Sequence, residues 1–249
     1  MATMSQVPRG GGTAPPGRRG GTGGTRGGTA SARGGTASAR RGTAGARRAQ
    51  ILDAAADLFA RKGFHGVPID EIGATVGITG PALYRHFAGK EAILAEMLVS
   101  ISERLLAGAR ERLMADDGAA VDPGAVDPAR ATAVLTELVD RHIDFALDHP
   151  ALITIQFRDL DALPPQDLAT VRRLQRAYVA TWAELIRAAR STPPARTLDS
   201  HEASAMAHAA FGLLNSTPHS ARLGRAATAR LLRRMALRAL LAPDPPDPA

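Results

Sequence analysis

Between Ala44 and Leu105 the apolar residues recur three and four positions apart, and glycines at 63, 77 and 89 cut that rhythm into short pieces followed by a long one. Ile51, Leu52, Ala55, Leu58 and Phe59 share one stripe of a helix. Gly63 follows Arg61 and Lys62, a basic last turn and a residue suited to ending the helix. A short helix comes next, with Pro68 in its first turn, Asp70 and Glu71 near its positive end, and Ile69, Ile72 and Val76 facing inward. Gly77 breaks it. Thr79 can cap a third helix that holds Leu83, Tyr84 and Phe87. After Gly89 a long helix runs from near Lys90, with Ile93, Leu94, Met97, Leu98, Ile101 and Leu105 inward.

A short helix, the turn Gly77-Ile78-Thr79 and another short helix make a helix-turn-helix. In that motif the second helix enters the major groove of DNA and the first braces it. Leu83 and Phe87 would anchor the second helix, which leaves Tyr84, Arg85 and His86 to face outward.

Beyond Leu105 the pattern stays helical. Asp116 to Pro128 has the Gly, Pro and Asp content of a linker. Helices are predicted near 129–148, 151–161, 165–190, 200–216 and 222–241, with prolines 150, 164, 165, 193, 194 and 218 at their boundaries. No segment alternates with period two, so the expected fold is all-α. The expected divisions are a disordered Gly/Arg-rich arm over 1–43, a three-helix DNA-binding domain over 44–90, a helical domain over 91–241 and a disordered tail over 242–249.

Charge is unevenly placed. Nine of the 31 basic residues are arginines within 1–50, where no Asp or Glu occurs; the rest of the chain carries 22 basic against 24 acidic groups. A basic arm on a nearly neutral body points to nucleic acid, because arginines displace the counterions condensed on phosphates. Over 47–98 there are six basic and six acidic residues, which implies a few directed contacts. Low apolar content and the tandem RGGTASA at 26–32 and 33–39 suit a disordered arm. Its arginines would track phosphates or enter the minor groove, or the arm is a neutral extension; both readings stand. No Met, Val or Leu falls between Val7 and Leu52, so the arm is expected to be translated.

Several classes are excluded. The chain has no cysteine, so it forms no disulfide framework, thiolate metal site or cysteine nucleophile. No apolar run of about 18 residues is present, so no membrane span is expected. No apolar segment follows the basic N-terminus as in a secretory signal, and a cytoplasmic location is expected. The phosphate-loop, serine-elbow, zinc-protease and dinucleotide patterns are missing, so an enzyme is not expected. The histidines at 142, 149, 201, 208 and 219 show no i, i+4 pair within a helix, so neither a metal site nor a cofactor is expected.

The stretch from Arg47 to Leu98, with ILDAA, LF, GF, LYRHF and GKE at fixed spacing, resembles the DNA-binding domain of TetR/AcrR-type regulators. The resemblance implies that Tyr84, His86 and Lys90 meet phosphates. It implies that Thr79 caps the recognition helix and touches phosphate. Gly80, Pro81 and Arg85 would occupy base-facing positions. Of these Arg85 is the candidate reader of a guanine. Val67 stands where a Ser or Thr cap is common and Gly73 where Ala is usual; both should weaken the second helix slightly.

For the C-terminal part the resemblance implies a homodimer, a palindromic operator and a ligand pocket. Met206, Ala207, Ala210, Phe211 and Leu214, with Leu223, Ala227, Leu231, Met235 and Leu241, would form the dimer face. His142, Gln156, Arg158, Tyr178, Trp182, His208 and Asn215 are polar or amphipathic groups among apolar neighbours, which makes them the candidate ligand residues. The segments HPALITIQFRDLDALPP and AHAAFGLLNSTPHS are similar to actinobacterial members associated with acyl-CoA. An acyl-CoA effector is therefore expected, its phosphates meeting Arg158, Arg172 and Arg173. The function implied is a repressor released from DNA by ligand; an activator, a ligand-independent regulator and a non-specific DNA-compacting protein are the alternatives.

Overall fold

A computed structural model describes residues 33–114, 121–191, 198–220 and 222–242, with side chains described from residue 45 onward. Most of the predicted arm, the first half of the predicted linker, prolines 193 and 194 and nearly all of the predicted tail lie outside the described residues. Contacts set the unit beginning at Ala44 apart from the residues before it, and the buried side chains belong to that unit.

Ten α-helices are described: α1 Arg33–Lys62, α2 Ile69–Thr75, α3 Gly80–Leu83, α4 Lys90–Arg112, α5 Pro128–Asp148, α6 Pro150–Asp159, α7 Pro165–Ala189, α8 Ser200–Leu214, α9 Thr217–Ser220 and α10 Arg225–Leu241. No strand occurs among the described residues. The first helix begins at Arg33, ahead of the start expected near Ala44. Within the expected linker, residues 121–127 form defined turns. A 3-10 turn spans Pro123–Ala125, Asp122 accepts from the amide of Gly124 at 3.0 Å, and Asp127 caps α5 through the amides of Ala129 and Arg130 at 3.1 Å. α9 is an addition to the predicted helices, and Pro218 lies inside it, where its missing N–H is no loss in a first turn.

Two apolar cores hold the helices. The first gathers Ile51, Phe59, Phe64, Ile72, Leu83 and Phe87 with Ile93, Leu94 and Leu98 of α4, and it is closed by Ile155, Leu163 and Val171. The second surrounds Leu135, Leu138, Trp182, Leu185 and Leu214, and takes Leu106 and Ala109 from the far half of α4. The long α4 therefore serves both cores. Helices of 15 to 25 residues carry apolar stripes that no single neighbour can cover, so α5, α7, α8 and α10 pack around one another. At the surface, Arg225 pairs with Asp144 and Asp148, and Arg233 with Asp140, along the α5–α10 seam.

Candidate nucleic-acid interface and ligand cavity

The motif is built by backbone geometry. Gly77 takes φ 70°, the amide of Ile78 reaches the carbonyl of Gly73 at 2.9 Å, and the amide of Gly77 reaches Ala74 at 3.1 Å. This pair of bonds ends α2 in a Schellman turn, which needs a residue at ease in the left-handed region. A Cβ at position 73 would stand 2.9 Å from the carbonyl oxygen of Ile78, so Gly73 permits the close approach of turn to helix. Val67 is fully buried and Pro68 holds the cap position of α2 with no side-chain bond.

α3 is shorter than expected. It ends at Leu83, and Tyr84, Arg85 and His86 continue it as turns, still tied by the amide of Phe87 to Leu83 at 3.1 Å. Leu83 and Phe87 are buried, as the spacing predicts. Thr79, Pro81, Tyr84 and Arg85 are exposed, with Tyr84 at 54%, while Gly80 and His86 are half-buried. Thr79 holds the cap position of α3, yet its side chain makes no capping bond. A Cβ at position 80 would meet the carboxylate of Asp70 at 2.5 Å, the end of an exposed side chain that can swing aside.

Lys90 is placed differently from its expected role. Its ammonium donates to the carbonyl of Phe64 at 3.1 Å and of Val67 at 3.4 Å, and lies 4.5 Å from the centre of the Phe64 ring. It ties α4 to the α1–α2 turn, with two of its three donors directed inward.

Arg48 belongs to the basic run in sequence, but in the fold it is part of the frame. Its guanidinium binds Glu96 of α4 (Nε to Oε1 at 2.8 Å), donates to the carbonyl of His86 and sits 3.9 Å over the Phe87 ring. It fixes the segment that presents Tyr84 and Arg85. Arg47 likewise donates to the carbonyl of Val76 at 3.2 Å. A signal for this exists in the sequence: Arg48 precedes Ile51 by three and Ala55 by seven, on the core face of α1.

In the C-terminal helices a cavity of about 240 Å3 is lined by Ser102, Leu105, His142, Gln156, Phe157, Gln175, Tyr178, Val179, His208, Phe211, Gly212 and Asn215. Five of the seven expected ligand residues meet there: His142, Gln156, Tyr178, His208 and Asn215. Trp182 is fully buried behind the wall, its ring 4.7 Å from that of Phe211. Arg158 lies elsewhere. It donates to the carbonyls of Phe59 and Ala60, the latter at 3.1 Å, and is held by the carboxylate of Asp159 at 3.0 and 3.1 Å. Arg172 pairs with Asp161 at 3.1 Å, and Arg173 is exposed and does not line the cavity. Gln175, missed in the sequence, lines the cavity with its amide nitrogen buried and without a hydrogen-bond partner.

Inside the cavity, His142 Nε2 lies 3.0 Å from Asn215 Oδ1, and Nδ1 lies 3.4 Å from the Tyr178 hydroxyl. Asn215 Oδ1 only accepts, so Nε2 carries the proton and Nδ1 accepts from Tyr178. Burial pushes the His142 pKa down to about 4 and that of Tyr178 up. No group of three or more His, Cys, Asp or Glu side chains lies together among the described residues. No described helix is long and apolar enough to cross a membrane.

The structure thus combines an exposed helix-turn-helix with a partly polar cavity among the C-terminal helices. A family model for "Bacterial regulatory proteins, tetR family" matches residues 51–97, and one for "Tetracyclin repressor-like, C-terminal domain" matches 128–219. Together they span more than half of the chain, which belongs to the TetR family of transcriptional regulators. The HTH-type transcriptional activator FasR of Mycolicibacterium smegmatis is 34% identical over 64 residues, 26% of this chain and 29% of that protein. The match thus spans under a third of that relative's length. Among solved structures, a TetR-family regulator from Bordetella parapertussis 12822 has a TM-score of 0.62 at 23% identity, covering 79% of this chain and 94% of that one. The regulator FadR from Bacillus subtilis, in complex with stearoyl-CoA, has a TM-score of 0.57 at 17% identity, covering 78% and 97%. Both share the fold.

Proposed function

We propose that this chain is a sequence-specific DNA-binding transcriptional regulator acting as a homodimer in the cytoplasm, released from a palindromic operator by a small effector, and that it is not an enzyme. The observation that carries this reading is the exposed surface of Thr79, Pro81, Tyr84 and Arg85 on a helix-turn-helix braced by Arg48. In it, residues 44–90 bind DNA and 91–241 sense ligand and dimerise. Arg85 reads a base edge; Tyr84, His86 and Thr79 meet phosphate; Gly80 and Pro81 let the backbone approach closely. Lys90 contributes its third donor or acts through the turn it holds. The effector is an acyl-CoA. Supporting that class are the 240 Å3 cavity and the fold shared with FadR, which was crystallised with stearoyl-CoA.

A second reading, a ligand-dependent activator, is favoured by FasR, whose name describes an activator and which is 34% identical in the matched segment. The DNA chemistry is the same in both; they differ in where the operator lies relative to the promoter.

The test is selection of duplexes from a random pool by the full chain, followed by fluorescence anisotropy at about physiological salt. A palindromic site bound at least about a thousandfold tighter than shuffled DNA is expected. Arg85→Ala should cost about 1–3 kcal/mol of binding and relax one base position. Tyr84→Phe should weaken all sequences alike. Equal affinity for every duplex would defeat the reading and favour sequence-independent binding.

A further inference from the structure

Which acyl-CoA the cavity admits follows from its walls, and this inference rests on the effector reading above. The His142, Asn215 and Tyr178 polar atoms are bonded to one another, and behind them Trp182 is fully buried. Trp182 Nε1 is buried without a partner, but that ring stands behind the wall and does not line the cavity. Gln175 does line it. Its side-chain amide nitrogen is buried with no partner, a donor whose desolvation is uncompensated until an acceptor arrives. It stands at a junction: Gln175, Val179 and His208 line both the cavity and a neighbouring groove of about 420 Å3, whose other walls include Arg172 and Arg176. A mostly apolar chamber thus opens, past one unsatisfied amide donor, onto a groove with two guanidiniums.

We propose that the chamber takes a short acyl group, that the amide of Gln175 donates to the thioester carbonyl, and that the coenzyme A phosphates lie along Arg172 and Arg176. Size sets the limit. A methylene takes up about the volume of a water, about 30 Å3, so 240 Å3 holds an acyl chain of about eight carbons. Behind Phe211 the chamber is backed by Trp182, the two rings 4.7 Å apart. The surface pair between Arg172 and Asp161, with side chains 51% and 85% exposed, is weak enough to yield to a phosphate.

Isothermal titration of the full chain with butanoyl-, octanoyl- and stearoyl-CoA, coenzyme A alone and free octanoate tests this. Butanoyl- or octanoyl-CoA should bind at least about tenfold tighter than coenzyme A alone, and stearoyl-CoA no tighter than coenzyme A. Gln175→Leu should remove that advantage, so that this variant binds octanoyl-CoA no tighter than it binds coenzyme A. Arg172→Ala with Arg176→Ala should weaken both coenzyme A and its thioesters. Val179→Ala enlarges the chamber and should move the preferred chain to a greater length, a gain that misfolding cannot produce. Stearoyl-CoA binding as tightly as octanoyl-CoA overturns the size limit while the effector class stands. Free octanoate matching octanoyl-CoA overturns the placement of the coenzyme. Failure of every thioester to bind defeats the effector class itself.

Discussion

Burial decides the chemistry of His142. Its pKa is pushed from 6.5 down to about 4 because no opposite charge replaces the water it loses, and Asn215 offers a neutral oxygen. The folded chain therefore keeps the ring neutral between about pH 4 and 6.5, where the unfolded chain binds a proton. Stability is complete above pH 6.5 and falls as pH drops through that window, by up to about 3 kcal/mol from this group. Urea unfolding at pH 7, 5.5 and 4.5 should show this loss in the native chain and a flatter curve in His142→Gln. Parallel curves for the two proteins would show that His142 is not held neutral. The same scale explains Arg48 and Lys90, whose charges are turned inward onto carbonyls, a carboxylate and aromatic rings. They position the exposed Tyr84 and Arg85, and fewer cations face outward here than the sequence suggests.

Among the elements, α6 joins α4 and α7 in serving both the first core and the cavity: Ile155 packs in that core, while Gln156 and Phe157, next in sequence, line the cavity. Arg158 then caps the last carbonyls of α1, and the buried Asp159 beneath it fixes the guanidinium and raises its pKa. A helix end leaves its final carbonyls without intrahelical partners, so a guanidinium there has a structural use and adds a favourable charge at the negative end of α1. Arg158→Leu combined with Asp159→Asn, which avoids stranding a buried carboxylate, should lower stability by about 1 kcal/mol, a fall of about 2–4 °C in Tm. Amide exchange at Gly63 and Phe64 should accelerate, since Gly63 donates to the Phe59 carbonyl at 2.8 Å. Exchange in α10 should not change. An unaltered Gly63 exchange rate would mean the clamp holds nothing. A shift of α6 on filling the cavity would reach α1 by this contact.

At the scale of the whole molecule, the expected dimer face divides. On α8, Ala207, Ala210 and Leu214 are buried in the chain's own core, and Phe211 packs on Trp182. The residues left outward there include the small Ala205, Ala209 and Gly212 beside His201 and His208, of which His208 and Gly212 also line the cavity. On the α10 side, Leu223 and Met235 are exposed at 53% and 45%, with Ala227 and Leu231 half-buried between them at i+4 spacing. Small residues on one helix beside large apolar ones on the next allow close packing against a second copy. Met235→Asp should halve the mass seen by sedimentation at about micromolar concentration and cost palindromic DNA its cooperative binding, with the helical content unchanged. A native chain that sediments as a monomer would remove the dimer from the proposed function.

Apart from the early start of α1 at Arg33, the early end of α3, the added α9 and the half-buried His86, the sequence by itself determined the all-helical class, the order of the helices and the outward facing of Tyr84 and Arg85. Those depend on spacing along one chain, which periodicity, glycines and prolines record directly. It also located most of the cavity, because His142, Gln156, Tyr178, His208 and Asn215 stand out as polar groups in apolar stripes. Tertiary structure decided what each charge touches. Arg158 reads as a ligand residue until α1 is seen to end against it; Lys90 reads as a phosphate contact until the Phe64 carbonyl is found within 3.1 Å. Gln175 gives no sequence signal, since an unpartnered donor is a property of its surroundings. The apolar residues of α8 and α10 could face inward or toward a partner with the same periodicity, and only the packing of α7 against α8 chose between them.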